Sequence, residues 1–188
     1  MKPVLITLVI AVAIGLFAGG RLSGLSALRL RWAPLALLGL ALQFLAPAGA
    51  WSFPVLLVSF AMLVAFALAN LRIPGFVLIV VGIAMNLTVI GINGGMPVPR
   101  WSLERSDQIG ELQYLIDHGG AKHHLATSDD HLLFLADVIP IPSPIRQAVS
   151  AGDIVAYVGV AFVIVSAMRR RPDPDEGPVA VAEPTVGA

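Results

Sequence analysis

The residues best suited to chemistry in this sequence are crowded into one stretch. His118 is followed by "HHLATSDDH" at 123–131, so all four histidines fall within fourteen positions, together with Asp129 and Asp130. Neutral imidazoles and carboxylates ligate zinc and similar ions, and the same groups exchange protons near neutral pH. A helical His-x-x-x-His or His-Glu-x-x-His would put two rings on one face; the sequence has neither. His123 and His124 are adjacent and do not easily point together, and His131 lies across a turn at Thr127 and Ser128. The metal-ligand candidates are therefore His123 (or His124), Asp130 and His131, if the fold gathers them. The competing reading is a set of solvated or hydrogen-bonded histidines that respond to pH. The pattern requires no metal or other cofactor.

Two further carboxylates have more pointed surroundings. Asp137 sits in "LLFLADVIP", among apolar neighbours, where an anion needs a partner or an elevated pKa. Arg146, Lys122 and the histidines are the partners nearest in sequence. Asp153, in "SAGD", forms with Ser150 the pattern of a capping box, which places a negative charge at a helix N-terminus. Asp137, Asp153 and His123 are the candidate catalytic groups, with a structural ion pair and a helix cap as the plain alternatives for the two aspartates.

The elements that must position these residues are membrane spans. The chain is 57% hydrophobic and 13% charged, with mean hydropathy +0.85. A soluble domain is nearer a quarter charged. Net charge is zero, which gives no basic field for nucleic acid. Cysteine is absent, which excludes disulfides and thiolate chemistry. Five segments reach the roughly 17–20 apolar residues that a helix needs to cross a bilayer: about 4–20, 33–50, 54–71, 75–92 and 151–168. The first has a second reading as a cleaved signal peptide. The expected fold is all-α, a five-helix transmembrane bundle occupying an integral membrane domain of 1–168. Residues 169–188, rich in Pro, Ala and acid, read as a disordered cytoplasmic tail.

Arg21, Arg29, Arg31, Arg72 and Arg169–Arg171 lie on alternate connections, and cytoplasmic loops are enriched in Arg and Lys. That orientation puts the N-terminus outside, the C-terminus in the cytoplasm, and the 93–150 connection on the outer face of a bacterial plasma membrane. Two short helices are expected in this connection. The first spans 101–120, with Ser102 as N-cap, Gly119 as stop and Ile109, Leu112 and Ile116 on its apolar face. The second spans 127–140, opened by a Thr127/Asp130 capping box and stopped at Pro140. Gln43, Ser59 and Asn86 fall in the outer halves of their spans, and Tyr157 lies one turn below Asp153. They line an outward polar recess, or simply bond helix to helix.

"NGGMPVP", "KHHLATSDDHLLFLADVIPIP" and "SAGDIVAYVG" together resemble a family of small bacterial multi-pass membrane proteins catalogued as a domain of unknown function. The matching positions are Asn93, Gly94, Gly95, Met96, Pro97, His123, Asp137, Ser150, Gly152 and Asp153, within roughly 75–160. The resemblance implies a membrane topology and a shared outer-face site, and brings no activity with it. His118, His124 and His131 stand outside that pattern.

These readings converge on a membrane protein that binds a small ligand or lipid, or supports a membrane protein partner, through the outer recess. Asn86, Asn93, Gly94, Gly95 and Tyr157 are its ligand-binding candidates. The alternative is an enzyme at the outer leaflet using Asp137, Asp153 and His123, and a weaker one is a transporter or channel component. The expected partners are the lipid bilayer and another membrane protein, not nucleic acid.

Overall fold

The structure, a computed structural model, describes residues 2–45, 51–120 and 122–170. Its elements run α1 (Lys2–Phe17), α2 (Ser23–Ser26), α3 (Ala33–Leu45), α4 (Ser52–Ala69) and α5 (Phe76–Asn93). There follow β1 (Met96–Val98), α6 (Arg100–Arg105), α7 (Ile109–His118), β2 (His123–Leu125), β3 (Ile139–Ile141), β4 (Gln147–Val149) and α8 (Ala151–Met168). The long apolar runs form helices because only a helix satisfies every backbone group within one segment. α4, α5 and α8, with 18 residues each, are long and apolar enough to cross a membrane. α1 and the Ala33–Gln43 part of α3 are apolar but shorter. Val9, Leu37, Val77 and Val158 are among the many large apolar side chains these helices leave exposed. Exposed apolar surface on that scale marks a membrane or partner contact.

Glycine sets the closest approach. A Cβ on Gly82 of α5 would run into the Gly152 carbonyl and, at 2.7 Å, the Ala156 amide of α8. α1 leans on the end of α8 through Gly15 against Met168. α3 meets α4 where Ser59 Oγ donates to the Gly39 carbonyl at 2.8 Å, so Ser59 joins two helices. At the end of the bundle where α8 finishes, the Arg21 amide donates to the Met168 carbonyl at 2.8 Å. There the buried Asn70 side chain bonds both the amide and the carbonyl of Arg31, at 2.8 Å each. Arg21, Arg31 and Arg169 are therefore gathered at this end.

At the opposite end the connection between α5 and α8 folds into a cap. It departs from the expected pair of helices. β1 pairs in parallel with β2, Met96 opposite His123 and Val98 opposite Leu125. β3 pairs antiparallel with β4, Ile139 opposite Val149. The protein is thus mostly helical, with two small strand ladders that an all-α reading omits.

The expected 101–120 helix is broken in two. Ser106 Oγ turns back onto the Ser102 carbonyl at 2.7 Å, Asp107 takes φ 57°, and the Gln108 side chain accepts from the Ala148 amide at 2.6 Å. Ser102 is not the N-cap; Pro99 holds that position, and Ser102 lies buried inside α6. Gly119 does end α7. Leu112 and Leu115 face the cap core with Val98, Leu103 and Ala148, whereas Ile109 and Ile116 point outward.

The expected 127–140 helix does not form. Asp130 does bond the Thr127 amide and hydroxyl, at 2.7 and 3.1 Å, but the contact closes only a turn. Asn93 then captures both backbone groups of His131, accepting from its amide at 2.8 Å and donating to its carbonyl at 2.9 Å. Leu132 is held at φ 55°. Neither residue can enter a helical ladder, and a single 3-10 turn at Leu133–Leu135 is what remains. Residues 46–50 of the second expected span, and 171–188 of the expected tail, lie outside the described residues.

Candidate functional site

The site is built on the start of α8. Ser150 and Asp153 form a full capping box: the Asp153 amide donates to Ser150 Oγ at 3.0 Å, and the Ser150 amide to Asp153 Oδ2 at 3.3 Å. Asn86 of α5 completes the node, donating to Asp153 Oδ1 at 2.7 Å and accepting from Ser150 Oγ at 2.8 Å. Asp153 Oδ1 and the Asn86 amide therefore join α5 to α8, while Asp153 Oδ2 closes the cap of α8 itself. Gly152 allows the approach, since a Cβ there would collide with Asn86 Oδ1.

Asp137 is placed above this node by its own backbone, whose amide donates to the Pro97 carbonyl at 3.2 Å. Its side chain is buried, 7% exposed, and Oδ2 stands 3.5 Å from His123 Nε2. Burial, and then the neighbouring Asp153, push the Asp137 carboxyl well above the usual carboxylate range, against the pull of Lys122. Burial, and then the Lys122 and His124 charges, bring His123 down to about 4. At neutral pH the imidazole is consequently neutral, and the carboxyl beside it holds its proton to a higher pH than an ordinary aspartate. Of the partners the sequence offered Asp137, His123 and Lys122 stand beside it.

Lys122 ties the cap to the bundle, donating from Nζ to Gln43 Oε1 of α3 at 2.9 Å. Burial lowers the pKa of its ammonium while Asp153 and Asp137 raise it. Tyr157 lies within electrostatic reach of the same two carboxylates. Gln43, Asn86, Lys122, His123, Asp137, Asp153 and Tyr157 thus converge where the cap meets the helices.

Other candidates lie elsewhere. Asp130 bonds His124 Nε2 at 2.8 Å. Desolvation raises its pKa, but the bonds from Thr127 and His124 outweigh that and leave it lowered. His131 offers its backbone to Asn93. Among the described residues no three His, Cys, Asp or Glu side chains group as a metal site. Asn93 serves as the latch on the loop, Gly94 takes the left-handed φ of 69° that ends α5, and Gly95 lies against the His124 ring.

His123 and Asp137 open onto a cavity of about 220 Å³ within the cap. Val98, Leu103, Leu115 and Ala148 supply apolar walls, and Gln108, Glu111 and Gln147 supply polar groups. Sequence reasoning missed these walls and the Lys122–Gln43 link, because strand pairing and loop closure bring together residues that no local period connects. A lysine beside the histidine pair and a lone glutamine late in an apolar run were the only signals.

A model of a family of unknown function, DUF5317, matches residues 27–165. An uncharacterized protein of Thermotoga maritima is 32% identical over 131 residues, which cover 68% of this chain and 73% of that one. No solved structure matches.

Proposed function

The chain belongs to the DUF5317 family, whose function is unknown, and from that premise we propose that it is a five-span plasma-membrane protein that binds a small polar ligand in the His123/Asp137 cavity, on the outer face. The orientation rests on charge: Arg21, Arg31 and Arg169 gather at the end away from the cap, and the arginine-rich end faces the cytoplasm. α1 and α3 complete the five spans, α1 being accommodated by local thinning of the bilayer.

One observation carries the reading of the site. A buried carboxyl and an imidazole meet at 3.5 Å on a cavity that adds the polar side chains of Gln108, Glu111 and Gln147 to the apolar walls of Val98, Leu103, Leu115 and Ala148. Polar groups converging in a concave recess fix the orientation of a bound small molecule. Here a neutral imidazole offers one donor and one acceptor beside the carboxyl, suited to a hydroxyl, amide or amine. The Asp153, Asn86 and Ser150 node supports the site from below, with its hydrogen bonds spent on the helices.

A second reading is catalysis at the outer leaflet. It is favoured by the same pair, since burial lowers the imidazole from its ordinary pKa and raises the carboxyl from its own, which sets a proton donor and a proton acceptor side by side on the cavity.

The experiment is a thermal-shift screen of small polar metabolites against purified protein, beside a Gln147→Trp variant that fills the cavity from β4. Compounds that raise the melting temperature of the wild type are expected to lose their effect on Gln147→Trp while its own unfolding stays cooperative. Equal shifts in both proteins would contradict the site. Conversion of a stabilising compound to product would select the catalytic reading over the binding one.

A further inference from the structure

A second recess lies on the other side of the wall that carries Asp137. Asp137 faces the cavity described above, and its neighbour Val138 faces an open groove of about 610 Å³, with Pro99, Trp101, Leu133, Phe134 and Arg100. We propose that this groove holds a phospholipid of the cap-side leaflet, its acyl chain on the aromatic walls and its phosphate on Arg100. The inference rests on the membrane reading above and concerns a different surface.

Three observations support that occupant. The groove is apolar and open, and Phe134 is 70% exposed in it. Leaving such surface in water is unfavourable by roughly 25 cal/mol per Å². Next, the turn that bears Phe134 is seated on the helices themselves. Leu133, Leu135 and Val138 pack against a cluster containing Leu56 and Phe60 of α4 and Val89 and Ile90 of α5. The turn that lines the groove is therefore anchored on two helices apolar enough to cross a membrane. Finally, the charge at the rim fits a phosphate. Arg100 is exposed and among the described residues pairs with Glu104 of its own helix, at 3.1 Å, an exposed pair of little strength. Arg105 stacks its guanidinium over Trp101 at 5.4 Å. Tryptophan with arginine at the level of the headgroups is how membrane proteins hold that zone. A volume of this size lies within the roughly 300–1,000 Å³ of ligand recesses.

Tryptophan fluorescence tests the proposal. A Trp32→Phe, Trp51→Phe protein leaves Trp101 as the sole emitter and is reconstituted in phosphatidylcholine vesicles containing a minority of phosphatidylglycerol. Phosphatidylglycerol brominated on its acyl chains is expected to quench Trp101 about twofold, as a chain lying against the ring requires. The same fraction of brominated phosphatidylcholine quenches less, and Arg100→Glu removes the difference between the two lipids. A parallel protein with Trp32, Trp51 and Trp101 all changed to Phe, and Phe162→Trp on α8, reports insertion alone. If that reporter is quenched by brominated lipid and Trp101 is reached only by aqueous iodide, the groove proposal fails and the membrane reading stands. If neither is quenched, both fail. Equal quenching by the two lipids, unchanged in Arg100→Glu, would also overturn the phosphate assignment. Shielding of Trp101 from both quenchers in a crosslinked dimer would give the groove to a second copy of the chain and overturn the lipid.

Discussion

Gly152→Ala is expected to cost roughly 3 kcal/mol or more and to leave little folded protein. Overpacking a tight contact costs about 1–3 kcal/mol by itself, and here the added methyl falls on Asn86 Oδ1 and within 2.7 Å of the Gly82 carbonyl. Asn86 cannot yield without releasing its bonds to Asp153 and Ser150, each of which carries about 1 kcal/mol or more. Separating the helices instead would open the contact at Gly82, where α5 and α8 touch backbone to backbone. Gly91→Ala on the same α5 is the control, because a Cβ there meets nothing within 4 Å. Its thermal unfolding is expected to match or slightly exceed that of the wild type, since alanine is the better helix former. Yield and melting temperature in detergent read both results.

Asp137→Asn is expected to do the opposite, keeping the fold and removing the function. Asparagine copies the shape of a protonated carboxyl, the form that burial and Asp153 favour at this position. Ligand affinity, or turnover if the site is catalytic, is expected to fall tenfold or more, about 1.4 kcal/mol, because the amide has neither the hydroxyl of a carboxyl nor its acidity. The pH dependence identifies the cause. The folded pKa of Asp137 lies above its ordinary 3.8, so its contribution to stability is fully present below that value and is lost as pH rises through the folded pKa. The variant lacks this loss, and its melting temperature should gain on the wild type as pH climbs from about 4. His123 acts in the other direction. Its folded pKa of about 4 lies below the ordinary 6.5, so both proteins lose stability as pH falls through that window. A constant difference between the two proteins across pH would mean that Asp137 does not titrate as its surroundings require.

How much of this was legible depends on whether the signal was local. The limits of α8 agree with the expected 151–168, because Ser150 and Asp153 announce its start within one turn and the apolar run supplies the rest. Asp137 stood out for a similar reason, a carboxylate set among leucines. The 127–140 segment misled for a physical reason. Its cap pair and apolar spacing suit a helix until Asn93, 38 residues away, takes both backbone groups of His131. The two ladders of the cap were hidden likewise, since three-residue strands have no period to read. Lys122 reaches Gln43 across 79 positions, a pairing set by how the cap seats on α3. Histidine count drew attention to the right stretch but for the wrong residues: His124 bonds Asp130, His131 gives its backbone to Asn93, and His123 faces the cavity.

The central claim is an open cavity on the outer face of the membrane, and the absence of cysteine makes it directly measurable. Glu111, exposed at the mouth of the cavity, is replaced by cysteine in one protein, and Asp175 of the C-terminal segment in another. In intact cells a membrane-impermeant maleimide is expected to label Glu111→Cys and to leave Asp175→Cys unlabelled until the cells are opened. Labelling of Asp175→Cys from outside, with Glu111→Cys protected, would contradict the account.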